Sequence, residues 1–86
     1  MPKKYKYREI IYNMPHEGYF NKQCLALEKY VIGLKKGRLL EDVDGSSYQM
    51  YHHEKGDIEV CNDYRYDELY VDSDFDLEPY FAKSKE

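Results

Sequence analysis

Asp72, Asp74 and Asp76 occupy alternate positions near the end of the chain. That is the one-three-five spacing with which a calcium loop offers hard oxygen ligands in a tight turn. The same loop needs glycine at its sixth position and a bidentate glutamate at its twelfth, where this chain has Leu77 and Lys83. A calcium loop is therefore excluded. Zinc would have to draw on His16, His52, His53, Cys24 and Cys61, and structural zinc takes four ligands, normally in two short-spaced pairs. Only His52 and His53 are close, and neighbours on a strand point to opposite faces. The expectation is a half-buried His52 and an exposed His53, with no metal and no cofactor.

Catalytic patterns fare no better. A cysteine nucleophile needs a histidine beside an activated thiol, whereas Cys24 and Cys61 lie in apolar contexts where a thiol is inert. There is no glycine-rich phosphate loop, no GxSxG and no HExxH. A chain of 86 residues also encloses little volume. The expectation is a protein that is not an enzyme and acts by contact.

Charge is the informative feature. Residues 1–38 hold nine lysines and arginines against three acids, while residues 39–86 hold four against fourteen. The stretch "DYRYDELYVDSDFDLEPYF", residues 63–81, packs seven acids and six aromatics around one arginine. On an extended strand, alternate side chains stand about 6.6 Å apart. Carboxylates so spaced repel one another and resemble, in one dimension, a row of backbone phosphates. Charge on an edge strand also blocks sheet-to-sheet association, which is the plainer explanation of the same acids. Tyrosine among them favours a docking surface, since it buries area while keeping a polar tip.

The elements that must position these residues can be read from periodicity. "KYKYREIIYN" alternates over 4–13, with Tyr5, Tyr7 and Ile11 on one side and Lys4, Lys6 and Arg8 on the other, as a strand does. After a break from Met14-Pro15 to Gly18, the positions Phe20, Cys24, Leu27, Val31 and Leu34 recur on one helical face. Asn21 is the expected N-cap, Lys35 and Lys36 the last turn, and Gly37 the C-cap. Gly33 would be an interior helix glycine that costs about 1 kcal/mol. "RLLEDV", a two-residue turn at Asp44-Gly45, "SSYQMYHHE", a turn at "EKGD" and "IEVCN" then form an antiparallel meander. A further strand is expected in "ELYVDSDFDL", with Leu69, Val71, Phe75 and Leu77 inward and Tyr70, Asp72, Asp74, Asp76 and Glu78 outward. Pro79 would open a short terminal helical turn. The fold class is α+β, one domain over 1–86, with one helix packed on a small antiparallel sheet in the order β-α-β-β-β.

The two cysteines lack a CxxC spacing and suit a reducing compartment. No run reaches the roughly 20 apolar residues of a membrane helix, and the N-terminus lacks a secretory core. The expectation is a soluble protein of the cytoplasm, with no membrane partner. In size, acidity, tyrosine content and lack of catalytic residues, the chain resembles the small acidic inhibitors encoded by phages and mobile elements. Those include nucleic-acid mimics and anti-CRISPR proteins. The resemblance implies an inhibitor that blocks a nucleic-acid-binding host protein, with no direct nucleic acid contact. Its partner-binding residues would be Tyr66, Asp67, Glu68, Tyr70, Asp72, Asp74, Asp76, Glu78 and Tyr80, facing a basic surface. Two alternatives stand beside it. One is a nucleic-acid-binding regulator using Lys3, Lys4, Lys6 and Arg8 with Tyr5 and Tyr7. The other is a homodimer built on the tyrosine-rich sheet.

Overall fold

The structure, a computed structural model, describes residues 4–80. It is an α+β fold with β1 (Tyr7–Tyr12), α1 (Glu17–Tyr30), β2 (Lys35–Glu41), β3 (Ser47–His53), β4 (Gly56–Asp63) and β5 (Glu68–Ser73). All neighbouring strands run antiparallel in the order β1-β5-β4-β3-β2. Three successive hairpins make β2 to β5. The first strand then pairs with the last and forms one edge of the sheet, with β2 the other.

The helix covers one face of this sheet. Phe20, Cys24 and Leu27 turn inward from α1, and Val31 follows it. They meet Tyr51, Ile58, Val60, Leu69 and Val71, with Leu77 closing the core from beyond β5. The apolar face read from periodicity is the buried one, but the helix lies earlier than expected. It is capped by His16, whose Nδ1 accepts the Tyr19 N–H at 3.0 Å. The His16 N–H donates to the buried Asn62 side chain at 2.9 Å, which ties the helix start to β4. Asn21 is thus an interior residue. At the other end the helix stops at Tyr30. Gly33 has φ of +82° and turns the chain back, so it ends the helix region and is not carried inside it. Lys35, Lys36 and Gly37 belong to β2.

Two further expectations shift for local reasons. The β2–β3 turn spans three residues, Val43 to Gly45, between the Asp42 N–H and the Ser46 carbonyl at 2.9 Å. A Gly45 N–H to Asp42 carbonyl bond of 3.1 Å and a φ of +93° at Gly45 complete it, the pattern of a type I turn followed by a left-handed glycine. On β3 the inward residue is Tyr51, whose hydroxyl donates to Glu28 at 2.6 Å. That parity places His53 on the helix side, half-buried against Phe75 with ring centroids 5.1 Å apart, and leaves His52 exposed on the opposite face. The expected burial of the two histidines is reversed.

Candidate interaction face

The second face of the sheet has no layer over it, and the register defines what it carries. One row crosses the strands as Ile10, Tyr70, Cys61, Tyr48 and Leu40. The next runs Arg8, Asp72, Glu59 and Met50, and beyond it Asp57 lies opposite His52. On β1, β5 and β4 this open face therefore bears Asp57, Glu59, Asp63, Glu68 and Asp72 against a single cation, Arg8.

Several of these groups are buried without a covering layer, because they pair with one another. Arg8 binds Asp72 with both arms, Nε to Oδ1 at 2.7 Å and Nη2 to Oδ2 at 3.0 Å. The guanidinium lies 4.1 Å from the Tyr70 ring centroid, stacked over its face. Below it the Tyr70 hydroxyl donates to Asp63 Oδ2 at 2.9 Å. The other Asp63 oxygen accepts the N–H groups of Arg65 and Tyr66 at 2.8 and 3.2 Å, building the β4–β5 turn. The bond to Asp72 raises the Arg8 pKa and so keeps its charge fixed. Burial, then the neighbouring Cys61, and then the hydrogen bond to Asp63 together with its charge, push the Tyr70 phenol upward.

Glu59, Cys61 and Asp72 bring one ligand atom each within 4.8 Å of one another. As a metal centre this set fits poorly. Arg8 already supplies the cation on both Asp72 oxygens. The Cys61 thiol donates to Glu59 Oε1 at 3.3 Å, and burial, with the Glu59 charge next, drives its pKa well up and keeps it a thiol. Cys24 lies on the opposite side of the sheet, and both cysteines are free.

The nine sequence-derived contact residues scatter over this frame. Tyr70 is 5% exposed and Asp72 7%, both consumed by the Arg8 network. β5 ends at Ser73, whose hydroxyl accepts the Phe75 N–H at 3.1 Å, so the strand expected over 68–77 is broken there. Asp74 turns back to β4. Its Oδ2 accepts the Asp57 N–H at 2.8 Å, and its own N–H donates to the Asp57 carbonyl at 3.0 Å. Gly56, with φ of +140°, makes this fit possible, since a Cβ there would collide with the Asp74 side chain. Asp76 is exposed and accepts the Glu78 N–H at 2.9 Å, starting the terminal helical turn of Glu78–Tyr80. Tyr80 packs edge-on to Phe75. Tyr66, Asp67 and Glu78 are exposed and Glu68 is half-buried. Phe81, Lys83 and Lys3 fall outside the described residues.

The outward carboxylates thus form two groups rather than one ladder. Asp67 and Glu68 stand at one end of β5, and Asp76 and Glu78 beyond the other. Periodicity within 68–77 could not show the partner that interrupts them, because Arg8 is 64 residues away from Asp72. Asp57 and Glu59 also belong to the open side, as their alternation with Ile58 and Val60 implies. Beside the face, an open groove of about 490 Å³ lies between Ile32, Gly33, Lys35, His52, His53 and Glu54. Its histidines are engaged, His52 with Asp57 and His53 with the Ile32 carbonyl, both at 2.9 Å. Among the described residues no helix is long and apolar enough to cross a membrane. Neither a family model, a curated protein nor a solved structure matches the chain.

Proposed function

We propose that this protein acts by contact, as an inhibitor that docks its acidic open face and flanking acidic turns on the basic surface of a nucleic-acid-binding protein. The observation that carries the reading is the charge of the uncovered face, five carboxylates against one guanidinium on β1, β5 and β4. Burial of Asp63 and Asp72 fixes part of this charge in place, and the exposed Asp67, Asp76 and Glu78 extend it at both ends of β5. Tyr66, exposed by 66%, adds contact area at one end. Binding of this kind associates quickly and weakens with salt.

The arrangement changes which acids should be tested. Asp72 and Asp74 are tied into the fold, so the informative variant reverses Asp67, Glu68, Asp76 and Glu78 to lysine. Capture from cells by the wild-type chain, with the captured proteins identified, should yield a basic nucleic-acid-binding protein. Its affinity for the fourfold variant should fall at least about tenfold, since several rim contacts are reversed at once. Equal affinity sinks the reading. The alternative of direct nucleic acid binding has less support, because Arg8 is bound to Asp72 and Tyr5 is docked on Met50. A gel shift with short DNA and RNA at low salt would revive it. The homodimer alternative predicts a sedimentation coefficient that rises with concentration.

A further inference from the structure

Residues 4–6 do not extend β1. The strand begins at Tyr7, at the sheet edge, and the chain before it bends back over the open face. The Tyr5 hydroxyl reaches Met50 Sδ on β3 at 3.9 Å. β3 lies three strands in from β1, about 14 Å at the usual strand spacing. Tyr5 therefore crosses β5 and β4 and comes to lie near Glu59, Asp57 and Asp74. Burial and then these three charges push its phenol pKa up, as expected of a hydroxyl set among carboxylates. The neighbours of Tyr5 are Lys4 and Lys6, both exposed. Tyr5 is thus seated across a carboxylate-bearing face, with an exposed lysine on each side of it.

The geometry points to a built-in competitor: residues 4–6 occupy in cis the site on the open face that accepts a lysine- and tyrosine-bearing segment of the basic partner. This rests on the acidic-face reading above and adds to it the kind of segment recognised and the way access is controlled. A tethered occupant acts at an effective concentration on the order of millimolar. The partner's apparent affinity is then reduced by the fraction of molecules in which the strap is closed. One contact of the strap is the Tyr5 hydroxyl on the Met50 thioether, a weak acceptor. The strap's electrostatic share fades with salt. β1 itself stays in place, since Arg8 is fastened to Asp72 independently of Tyr5.

The test uses the full chain and a fluorescein-labelled synthetic peptide, KKYKY, copied from residues 3–7. Fluorescence anisotropy compares the wild type with Tyr5→Ala, which keeps Lys4 and Lys6 and so leaves the charge of the protein unchanged. The opened variant should bind the peptide about tenfold more tightly, the gain expected when a mostly closed competitor is removed. Adding Glu59→Gln and Asp57→Asn to the opened variant should remove that gain. Equal binding to both proteins overturns the strap and leaves the acidic face standing as a receptor. No binding to either overturns both. A second measurement does not depend on the peptide. The methyl carbon signal of Met50 should shift in Tyr5→Leu while that of Met14 stays where it is. A stationary Met50 signal would show that Tyr5 is not seated, and would also overturn the proposal.

Discussion

The two faces of this sheet bury side chains to a similar degree by different means. On the covered face Ile58, Val60, Leu69 and Val71 are at most 1% exposed because a helix lies on them. On the open face Cys61, Tyr70 and Asp72 are 1%, 5% and 7% exposed although no element lies over them. There the shielding comes from long side chains laid flat: Arg8 over Tyr70, Tyr5 across β4 and β5. Apolar burial is non-directional and tolerates small shifts. Polar burial requires each group to meet its partner, and no buried side-chain nitrogen or oxygen lacks one among the described residues. The covered face is thus held by area and the open face by pairing. That difference leaves a structured, charged surface accessible to a partner, which an apolar face could not offer without aggregating.

Substitutions on β5 and on its neighbour β1 break the comparison most directly. Leu69→Ala removes a fully buried side chain from the covered face and should cost about 3 kcal/mol in urea unfolding. On the open face the expected response is smaller and asymmetric. Arg8→Met leaves the Asp72 carboxylate, only 10% exposed, with no cation, and should cost about 2 kcal/mol after allowing for a half-exposed arginine. Asp72→Asn leaves a guanidinium that is 53% exposed and can hydrate, so it should cost about 1 kcal/mol or less. If the two open-face variants cost the same, Arg8 and Asp72 form an ordinary surface pair and the pairing account fails.

The same contrast explains what could be read from the chain beforehand. Phe20, Cys24, Leu27 and Val31 recur at helical spacing, so the covered face, its helix and the hairpin order were legible in local pattern. The helix ends were not, because His16 and Asn62 cap it together from residues 46 apart. Nor was the turn after β2, where Asp42 and Ser46 close a three-residue loop that the Asp44-Gly45 pair alone does not specify. The open face was the least legible region. Its organisation depends on Arg8 meeting Asp72 and on Tyr5 meeting Met50, contacts 64 and 45 residues apart. An alternating run of acids looks identical whether each carboxylate is exposed, as at Glu78, or bound into the fold, as at Asp72.

The smallest expected effect concerns Glu59, and its sign separates the faces without disturbing either. Burial first, and the Asp72 charge second, raise the Glu59 pKa above its ordinary value of 4.5, while the Cys61 thiol bond works the other way. A carboxyl with a raised folded-state pKa binds protons more readily in the native protein than in the unfolded chain. Its favourable contribution is complete below 4.5 and is lost as pH rises through the folded value. At pH 7 the ionised Glu59 is therefore a liability. Glu59→Gln keeps an oxygen to accept the Cys61 thiol and removes the charge, so it should stabilise the protein at neutral pH. Solvent screening of a half-buried group limits the gain to below about 1 kcal/mol. The difference between variant and wild type should vanish as pH falls below the ordinary carboxyl range, and taking that difference cancels the titration of the other acids. A variant less stable than wild type at pH 7 would mean that the Glu59 charge is itself satisfied by a cation on the open face. The strap carries two lysines, and if they are that source the loss should be absent when Lys4 and Lys6 are both replaced by glutamine.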